Sequence, residues 1–344
     1  MKAMVLKETG KPFVLEDLPD PAPSPTDVVV KVLACGSGLT IHHTRMGQAP
    51  VEFPRVIGHE VAGEVVAIGG GVKQFKIGDI VTPHMYLTCG YCRWCRTGRE
   101  SLCDNLAGFV GRHVDGGYAE FMKLDENSFV KVPEALDVKA HPAEAAVVCD
   151  AITTPYRVIR RARVAPGETV AVFGAGGGLG IHMLMLARWA HARTIAVEID
   201  ADKFDACRTA GAEDVVDASA ANVADALMEM TDGRGVDVAI DFVSAVSTLE
   251  AGVQALGKGG RLVTLGGHSP DPFHVTGAML LQKELELIGS RAFSKQEIAE
   301  ALDLVARGEV WPMVSETYAL EQAEEAHARL EAAAITGRAA LVLN

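Results

Sequence analysis

Four cysteines lie close together in the segment CGYCRWCRTGRESLC, and two, two and seven residues separate them: Cys89, Cys92, Cys95 and Cys103. Thiolates at this spacing can close a tetrahedron around Zn²⁺, and an ion with four protein ligands has no position left for a substrate. We therefore predict a structural zinc site in a lobe at about residues 89–103. Free thiols or an iron–sulfur cluster are the alternatives that the spacing leaves open.

A glycine-rich segment, VAVFGAGGGLG, offers a second chemistry. Gly174, Gly177, Leu179 and Gly180 lie between an apolar run and a helical pattern, where backbone N–H groups and a helix N-terminus favour a pyrophosphate. Glu198 follows Gly180 by 18 residues, at the end of the next apolar run, where a carboxylate accepts hydrogen bonds from ribose hydroxyls. These five residues predict a dinucleotide site. Because the carboxylate repels a 2′-phosphate, they favour NAD(H) over NADP(H). The alternative is a plain glycine turn followed by a solvated carboxylate.

The pattern of the surrounding chain predicts an α/β protein of two domains. Short Gly- and Val-rich runs up to about Val132 indicate a β-rich domain, and after Glu144 apolar strands alternate with helical patterns, which is typical of a doubly wound parallel sheet. We predict a β-rich catalytic domain at 1–154, an NAD-binding domain at 155–292, and a return of residues 293–344 to the first domain.

Composition excludes several other classes. The chain has 344 residues, 49% of them hydrophobic, and a formal net charge of −13 without a basic run, so we expect no nucleic-acid partner. No apolar run reaches the length of a membrane span and no leader pattern opens the sequence, so we expect no membrane partner and a cytoplasmic location.

Two further motifs complete the pattern: IGHEVAGEVVAIG at Ile57–Gly69 and CDAITTPY at Cys149–Tyr156. Together with the cysteine lobe and the glycine loop, they resemble the zinc-dependent alcohol dehydrogenases of the medium-chain dehydrogenase/reductase family over essentially the whole chain. The resemblance implies a GroES-like catalytic domain, a Rossmann-type NAD-binding domain, hydride transfer to or from a small molecule, and a homodimer or homotetramer.

In that family a catalytic zinc is held by a cysteine, a histidine and a third cysteine or aspartate, with a glutamate beside the histidine. His59 and Glu60 match the middle pair, and Asp150 matches the third position, with Cys149 as the less favoured neighbour. The first ligand position falls on Gly38, which has no donor atom. We therefore expect the catalytic zinc to be weak or absent.

The same alignment places Thr40 and His43 where the family has a hydroxyl and an imidazole that relay the substrate proton to solvent. Ile41 replaces the aspartate that usually orients the histidine ligand, a second loss at the metal site. A shifted alignment would instead make Cys35 the first ligand of a residual catalytic metal site with His59, Glu60 and Asp150, but it displaces both relay residues.

Arg338, in ITGRAAL, resembles a family arginine that contacts the dinucleotide phosphates. Plain structural interpretations stay open for several of these residues. His59 could be a core histidine, His43 a surface histidine, Thr40 a packed strand residue and Arg338 a solvated cation.

These residues support three hypotheses on function. The first is NAD-dependent interconversion of a secondary or allylic alcohol and a carbonyl without a full catalytic zinc site, motivated by the retained relay. The second is NAD(P)H-dependent conjugate reduction of an activated C=C bond in an enone or enoyl-CoA. The third is a non-catalytic NAD-binding protein. In the second hypothesis, four arginines could meet CoA phosphates: Arg157, Arg160, Arg161 and Arg163.

Overall fold

The computed structural model describes residues 1–266 and 271–343. It divides into two compact units, one of Met1–Thr153 with Ala292–Asn344 and the other of Thr154–Arg291. Among the described helices, none combines the length and the apolar character needed to cross a membrane.

The first part of the chain is mostly β-structure. Its elements are β1 Lys2–Leu6, β2 Val14–Asp17, β3 Asp27–Ser37, α1 Leu39–Arg45, β4 Arg55–Val56, β5 Val61–Ile68, β6 Ile80–Pro83, β7 Tyr86–Leu87, β8 Gly108–Phe109, β9 Phe121–Asp125, β10 Phe129–Lys131 and α2 Pro142–Val147. A turn of π-helix at Val148–Ile152 joins α2 to the next helix.

The second unit alternates helices and strands. Its elements are α3 Thr153–Ala162, β11 Thr169–Phe173, α4 Gly180–Trp189, β12 Arg193–Glu198, α5 Phe204–Ala210, β13 Asp214–Asp217, α6 Val223–Met230, β14 Val236–Asp241, α7 Val246–Ala255, β15 Leu256–Thr264, α8 Gly277–Lys283 and β16 Glu286–Gly289. The chain then returns to the first unit with α9 Lys295–Ala306, β17 Val314–Ala319, α10 Ala323–Glu331 and β18 Arg338–Val342.

A parallel six-stranded sheet in the order β13-β12-β11-β14-β15-β16 forms the centre of the second unit. All five residues of β11 are buried, because both faces of the sheet are covered. The chain leaves β11 toward β12 and later resumes on its other side with β14, so the order reverses at β11. Ligands of such sheets bind at the carboxyl end of the strand where this reversal occurs. The glycine loop directly follows β11.

The first unit is organised around β3. The main sheet runs β10-β6-β5-β3-β18-β17, with β9 also paired to β3. The antiparallel register pairs Cys35 with Val61 of β5 and Ser37 with Ala339 of β18. The residues next to those pairs, Glu60 and Arg338, are therefore brought to the end of β3, beside Gly36 and Gly38. Helix α2 packs on β3, β5 and β18, and the π-turn after it presents Asp150.

Candidate active site and metal sites

The four-cysteine lobe has the geometry of a tetrahedral zinc site. Sulfur atoms of Cys92 and Cys95, and of Cys89 and Cys103, are 3.5 Å apart, and two other pairs are 4.0 Å apart. Zinc–sulfur bonds of about 2.3 Å in a regular tetrahedron place the sulfurs about 3.8 Å apart. Two of the thiols also accept hydrogen bonds from backbone N–H groups within the lobe. These four residues fit a structural zinc ion, which would hold the loop and take no part in the chemistry.

The glycine loop requires glycine at the position where the helix begins. A Cβ at Gly180 would lie 2.1 Å from the carbonyl oxygen of Gly174, so β11 and α4 approach too closely for a side chain. Gly174 has a φ of +71°, which favours glycine. Gly177 and Leu179 lie between them, and Leu179 directly precedes α4. The loop therefore turns tightly onto a helix N-terminus, as a pyrophosphate site requires.

Glu198 is fixed at this loop. One carboxylate oxygen accepts a hydrogen bond from the Gly176 N–H at 2.7 Å, and the other accepts from the N–H groups of Ile199 and Asp200. The side chain is buried at the carboxyl end of β12. Because the backbone holds the carboxylate in place, it is preorganised to accept further hydrogen bonds from a ribose.

Lys203 is a residue of this site that the sequence analysis did not single out. Its side chain packs beside Gly176, where an added Cβ would lie 2.8 Å from the lysine, and its Nζ lies 3.5 Å from an Asp200 carboxylate oxygen. It is buried at 8% exposure. The signal that could have found it is its position five residues after Glu198 in the segment EIDADK.

In the first unit, His59, Glu60 and Asp150 form a buried cluster. One donor atom from each lies within 4.8 Å of the others, a spacing that could hold a metal ion. The Nε2 of His59 lies 3.6 Å from an Asp150 carboxylate oxygen. His59 and Glu60 directly precede β5, and Asp150 lies in the π-turn, a feature frequent at functional sites. The structure thus brings together three residues that the sequence analysis placed at a catalytic metal.

A fourth residue, Arg338, already provides a cation to this cluster. Its Nη2 lies 3.0 Å from Glu60 Oε1 and 3.2 Å from Asp150 Oδ2, and the residue is 5% exposed. The expected contact of Arg338 with dinucleotide phosphates stays a prediction. What the structure shows is a buried ion pair with two carboxylates, so the interpretation as a solvated arginine is wrong.

Gly38 explains how the guanidinium fits. A Cβ built at Gly38 would lie 2.1 Å from Nη1 and 2.8 Å from Cζ of Arg338. A cysteine at the family's first ligand position and this arrangement of Arg338 therefore exclude each other. Although the three remaining donors have metal-site spacing, they do not fit a catalytic zinc while a permanent cation lies on both carboxylates.

Burial controls the charge of this cluster. Desolvation, aided by the neighbouring Asp150 carboxylate, raises the pKa of Glu60 to about 8, although Arg338 acts to lower it. At neutral pH, Glu60 therefore retains a proton and Asp150 balances the guanidinium charge. Gly36 is required for this packing, because a Cβ there would lie 2.3 Å from Glu60 Oε2.

Cys35 lies outside this three-residue group, and the alternative alignment that makes it a metal ligand stays a prediction. Its sulfur points toward Gly58 and Gly117, where added Cβ atoms would lie 2.8 and 3.0 Å away, and burial raises its pKa well above the ordinary value. Cys149, the other alternative ligand, donates to the Ala146 carbonyl at 3.4 Å and is likewise outside the three-residue group.

Thr40 and His43 lie three residues apart on α1, so they share one face of the helix. Both are partly buried. Thr40 is helical rather than part of a strand, which corrects the strand-packing alternative. The two side chains therefore share a helix face, and the relay itself stays a prediction.

Ser37, which lies between Gly36 and Gly38, belongs to a buried polar network that the sequence analysis missed. The Tyr118 hydroxyl donates to Ser37 Oγ at 2.8 Å and lies 3.0 Å from His327 Nε2. All three side chains are fully buried, so this network fixes the end of β3 from the side of the core. Tyr118 and His327 are 209 residues apart in sequence, and short-range patterns do not reveal such a contact.

Comparisons with known proteins agree with this geometry. A family model described as "Alcohol dehydrogenase GroES-like domain" matches residues 24–134, and one described as "Zinc-binding dehydrogenase" matches residues 178–307. An NAD-dependent alcohol dehydrogenase of Sulfurisphaera tokodaii is 33% identical over 99% of this chain and 100% of its own. An acryloyl-coenzyme A reductase of Metallosphaera sedula is 31% identical over 96% of both chains.

Among solved structures, the crystal structure of AibC has a TM-score of 0.92 and 36% identity, covering 100% of this chain and 96% of that one. The chain therefore belongs to the zinc-binding alcohol dehydrogenase branch of the medium-chain dehydrogenase/reductase family. The expected α/β fold, the oxidoreductase class, and a nicotinamide dinucleotide with a structural zinc as cofactors are confirmed.

Proposed function

We propose that this protein is an NAD-dependent oxidoreductase that interconverts a secondary or allylic alcohol and its carbonyl, with no zinc ion at the reacting oxygen. The observation that carries this proposal is the pair Thr40 and His43 on one face of α1, directly after Gly38. Glu198, held at the glycine loop by three backbone N–H groups, supports NAD rather than NADP.

A bound dinucleotide supplies the hydride acceptor. The residues of this chain handle the proton: the Thr40 hydroxyl accepts a hydrogen bond from the substrate hydroxyl, and the His43 imidazole, a group suited to proton transfer near neutral pH, delivers the proton to solvent. As the substrate oxygen gains negative charge, the N–H groups of the Arg338 guanidinium stabilise it as hydrogen-bond donors, since Asp150 already balances the charge.

The relay is tested by replacing its two members separately. We expect Thr40→Val and His43→Ala each to lower kcat for alcohol oxidation by about 10²-fold or more, the range of general acid–base catalysis. Thr209→Val, at an exposed helical threonine, is the matched control. Unchanged turnover in both relay variants, measured as NADH formation with a panel of secondary and allylic alcohols, would contradict the proposal.

A second function, conjugate reduction of an enoyl thioester, is favoured by the arginine in the metal position. A conjugated thioester spreads the negative charge of the developing enolate over its own carbonyl, so it needs less electrophilic assistance than a ketone. The relative from Metallosphaera sedula named acryloyl-coenzyme A reductase is consistent with this alternative.

The arginines suggested for CoA phosphates have other contacts. Arg161 donates to the Gly289 carbonyl at 3.0 Å, Arg163 pairs with Glu286 at 2.5 Å, and Arg157 is buried. Arg160 lies over the Tyr156 ring. These contacts all lie within the second unit and support a structural role for the group.

Product analysis with NADH deuterated at C4 separates the two reactions. Deuterium on the carbinol carbon of the alcohol formed from a ketone or enone supports the first function. Deuterium on the β-carbon of the saturated acyl-CoA formed from an enoyl-CoA supports the second. Tight NADH binding without turnover of any alcohol, ketone, enone or enoyl-CoA would support the third hypothesis, a binding protein.

We further propose that the β-rich unit is the catalytic domain and the parallel-sheet unit binds NAD, with boundaries near residues 154 and 292. We also propose that the protein acts in the cytoplasm as a homodimer or homotetramer. Sedimentation equilibrium measures the assembly, and a monomer at micromolar concentration would contradict that part of the proposal.

A further inference from the structure

We propose that Arg338 is the resident cation of the cluster formed by His59, Glu60 and Asp150, and that it excludes a divalent metal from this site because Gly38 leaves room for its guanidinium. This inference rests on the proposed function only in assigning the cluster to the reacting centre. It concerns which cation the protein places there.

The guanidinium of Arg338 occupies the space beside the Cα of Gly38. The guanidinium lies where a side chain at position 38 would be, with Nη1 only 2.1 Å from an ideal Cβ at Gly38. Every residue other than glycine at position 38 would displace Arg338. A ligand side chain at position 38 and the guanidinium in this place therefore exclude each other.

The charge of Arg338 opposes the binding of a divalent ion. An arginine side chain keeps its proton in proteins, so it always contributes one positive charge. Nη2 lies 3.0 and 3.2 Å from the buried carboxyl groups of Glu60 and Asp150, and the ionised Asp150 already compensates that charge. A divalent ion would need the same carboxylate oxygens and would be repelled by the guanidinium at short range.

The backbone of Arg338 is held at the start of β18. The backbone N–H of Arg338 donates to the Met313 carbonyl at 3.0 Å, at the start of the β17–β18 pairing. Gly337, with a φ of +69°, turns the chain into β18, and a Cβ there would lie 2.7 Å from the same carbonyl oxygen. The sheet therefore anchors the backbone from which the guanidinium extends, and its placement opposite Gly38 follows from the register of β18 on β3.

Two buried nitrogens of the cluster indicate that it does more than stabilise the fold. Within the described chain, Nε of Arg338 and Nε2 of His59 have no hydrogen-bond partner. Unpaired buried polar atoms are costly and are concentrated at functional sites. The cluster thus combines a balanced guanidinium with two nitrogen atoms that have no hydrogen-bond partner among the described residues.

The test is the metal content of the purified full-length protein after incubation with zinc and removal of free ion, measured by mass spectrometry of the metal. We expect about one zinc per chain in the wild type, from the four-cysteine site, and about two in Arg338→Ala, because three protein ligands suffice for an open zinc site. Arg338→Lys retains the cation and is expected to remain at about one. Arg307→Ala, at an exposed arginine paired with Glu309, is the control.

A second variant completes the ligand set, while Arg338→Lys guards against loss of folding because it keeps a cation beside the two carboxyl groups. In Gly38→Cys with Arg338→Ala, the added thiol completes a cysteine, histidine and aspartate ligand set, and we expect a second zinc bound at least tenfold more tightly than in Arg338→Ala.

Two results would overturn the inference: a wild type with about two zinc ions, or folded Arg338→Ala and double variants that both retain only the cysteine-bound zinc. Neither result depends on turnover. A wild type with one zinc that converts no substrate would contradict the proposed function and leave the inference intact. A two-zinc wild type that oxidises alcohols would contradict the inference and keep the alcohol–carbonyl reaction, but not its zinc-free form.

Discussion

The four-cysteine lobe and the cluster around Arg338 both bring metal-ligating side chains within 4.8 Å of one another, but they differ in what balances their charge. In the lobe, four thiols surround one centre, and their sulfur distances of 3.5–4.0 Å match a zinc tetrahedron. In the cluster, a guanidinium lies on both carboxylates. A set of donor atoms is therefore a metal site only when the protein supplies no cation of its own.

The strongest way to test this difference is to remove one donor from the lobe. We expect Cys92→Ser to lose the structural zinc and about 5 kcal/mol of unfolding free energy, since loss of a structural metal is among the largest single-residue effects. Zinc content and denaturant unfolding measure both. Cys207→Ala, at a buried thiol in α5, should keep its zinc. If Cys92→Ser kept both zinc and stability, the lobe would not be a metal site.

Removing a carboxylate from the cluster tests the other half of the comparison. Asp150→Asn leaves the buried guanidinium with less compensation, and we expect a loss of about 4 kcal/mol, as for other broken buried ion pairs. The double variant Asp150→Asn with Arg338→Met should be more stable than the single variant, because it removes the unpaired charge as well. With Arg338→Met alone as the third variant, losses in urea unfolding that simply add in the double variant would show that the two side chains do not interact.

The pH dependence of stability should come from the cluster. Burial raises the pKa of Glu60 to about 8, with Arg338, Asp150, His59 and Cys35 as its ionisable surroundings. The folded state thus binds a proton that the unfolded state releases above pH 4.5, so this residue's contribution to stability falls as pH rises from 4.5 to 8.

Glu60→Gln, which stays neutral, should lack this fall. Between pH 5 and pH 8 we expect the wild type to lose about 3 kcal/mol relative to Glu60→Gln. Glu331→Gln, at an exposed glutamate at the end of α10, should follow the wild type. Parallel curves for the wild type and Glu60→Gln in chemical unfolding across this range would show that Glu60 is ionised in the folded protein.

The smallest effect is expected at the arginines of the lobe. Arg93 and Arg99 lie over the Trp94 ring at 4.6 and 4.8 Å, so Arg99→Ala removes one cation–π contact worth about 0.5–1 kcal/mol. We expect zinc content and turnover to be unchanged. A change in zinc content comparable to that of Arg338→Ala would mean that arginines near either site control metal binding, and the contrast between the two regions would disappear.

Much of this molecule could be predicted from local sequence patterns. Cys89, Cys92, Cys95 and Cys103 lie within one short segment, so their spacing alone predicted the tetrahedron that the structure shows. The glycine loop and Glu198 were equally predictable, because a strand, a turn and a helix N-terminus follow one another directly along the chain.

Other parts of the site could not be predicted in this way. The Tyr118 network depends on side chains that meet through packing. The choice between the two alignments at Cys35 depended on which way β3 faces. The pleat of that strand turns the Cys35 sulfur toward Gly58 and Gly117.

The sequence by itself determined that the first ligand position is a glycine, and therefore that the family's usual metal site is incomplete. Only the tertiary structure decided what takes the vacant volume. Gly38 and Arg338 are 300 residues apart in sequence, and they meet because the antiparallel register of β3 and β18 pairs Ser37 with Ala339. Strand pairing over such a separation is set by the whole core, which is why the cation at this site is a tertiary property.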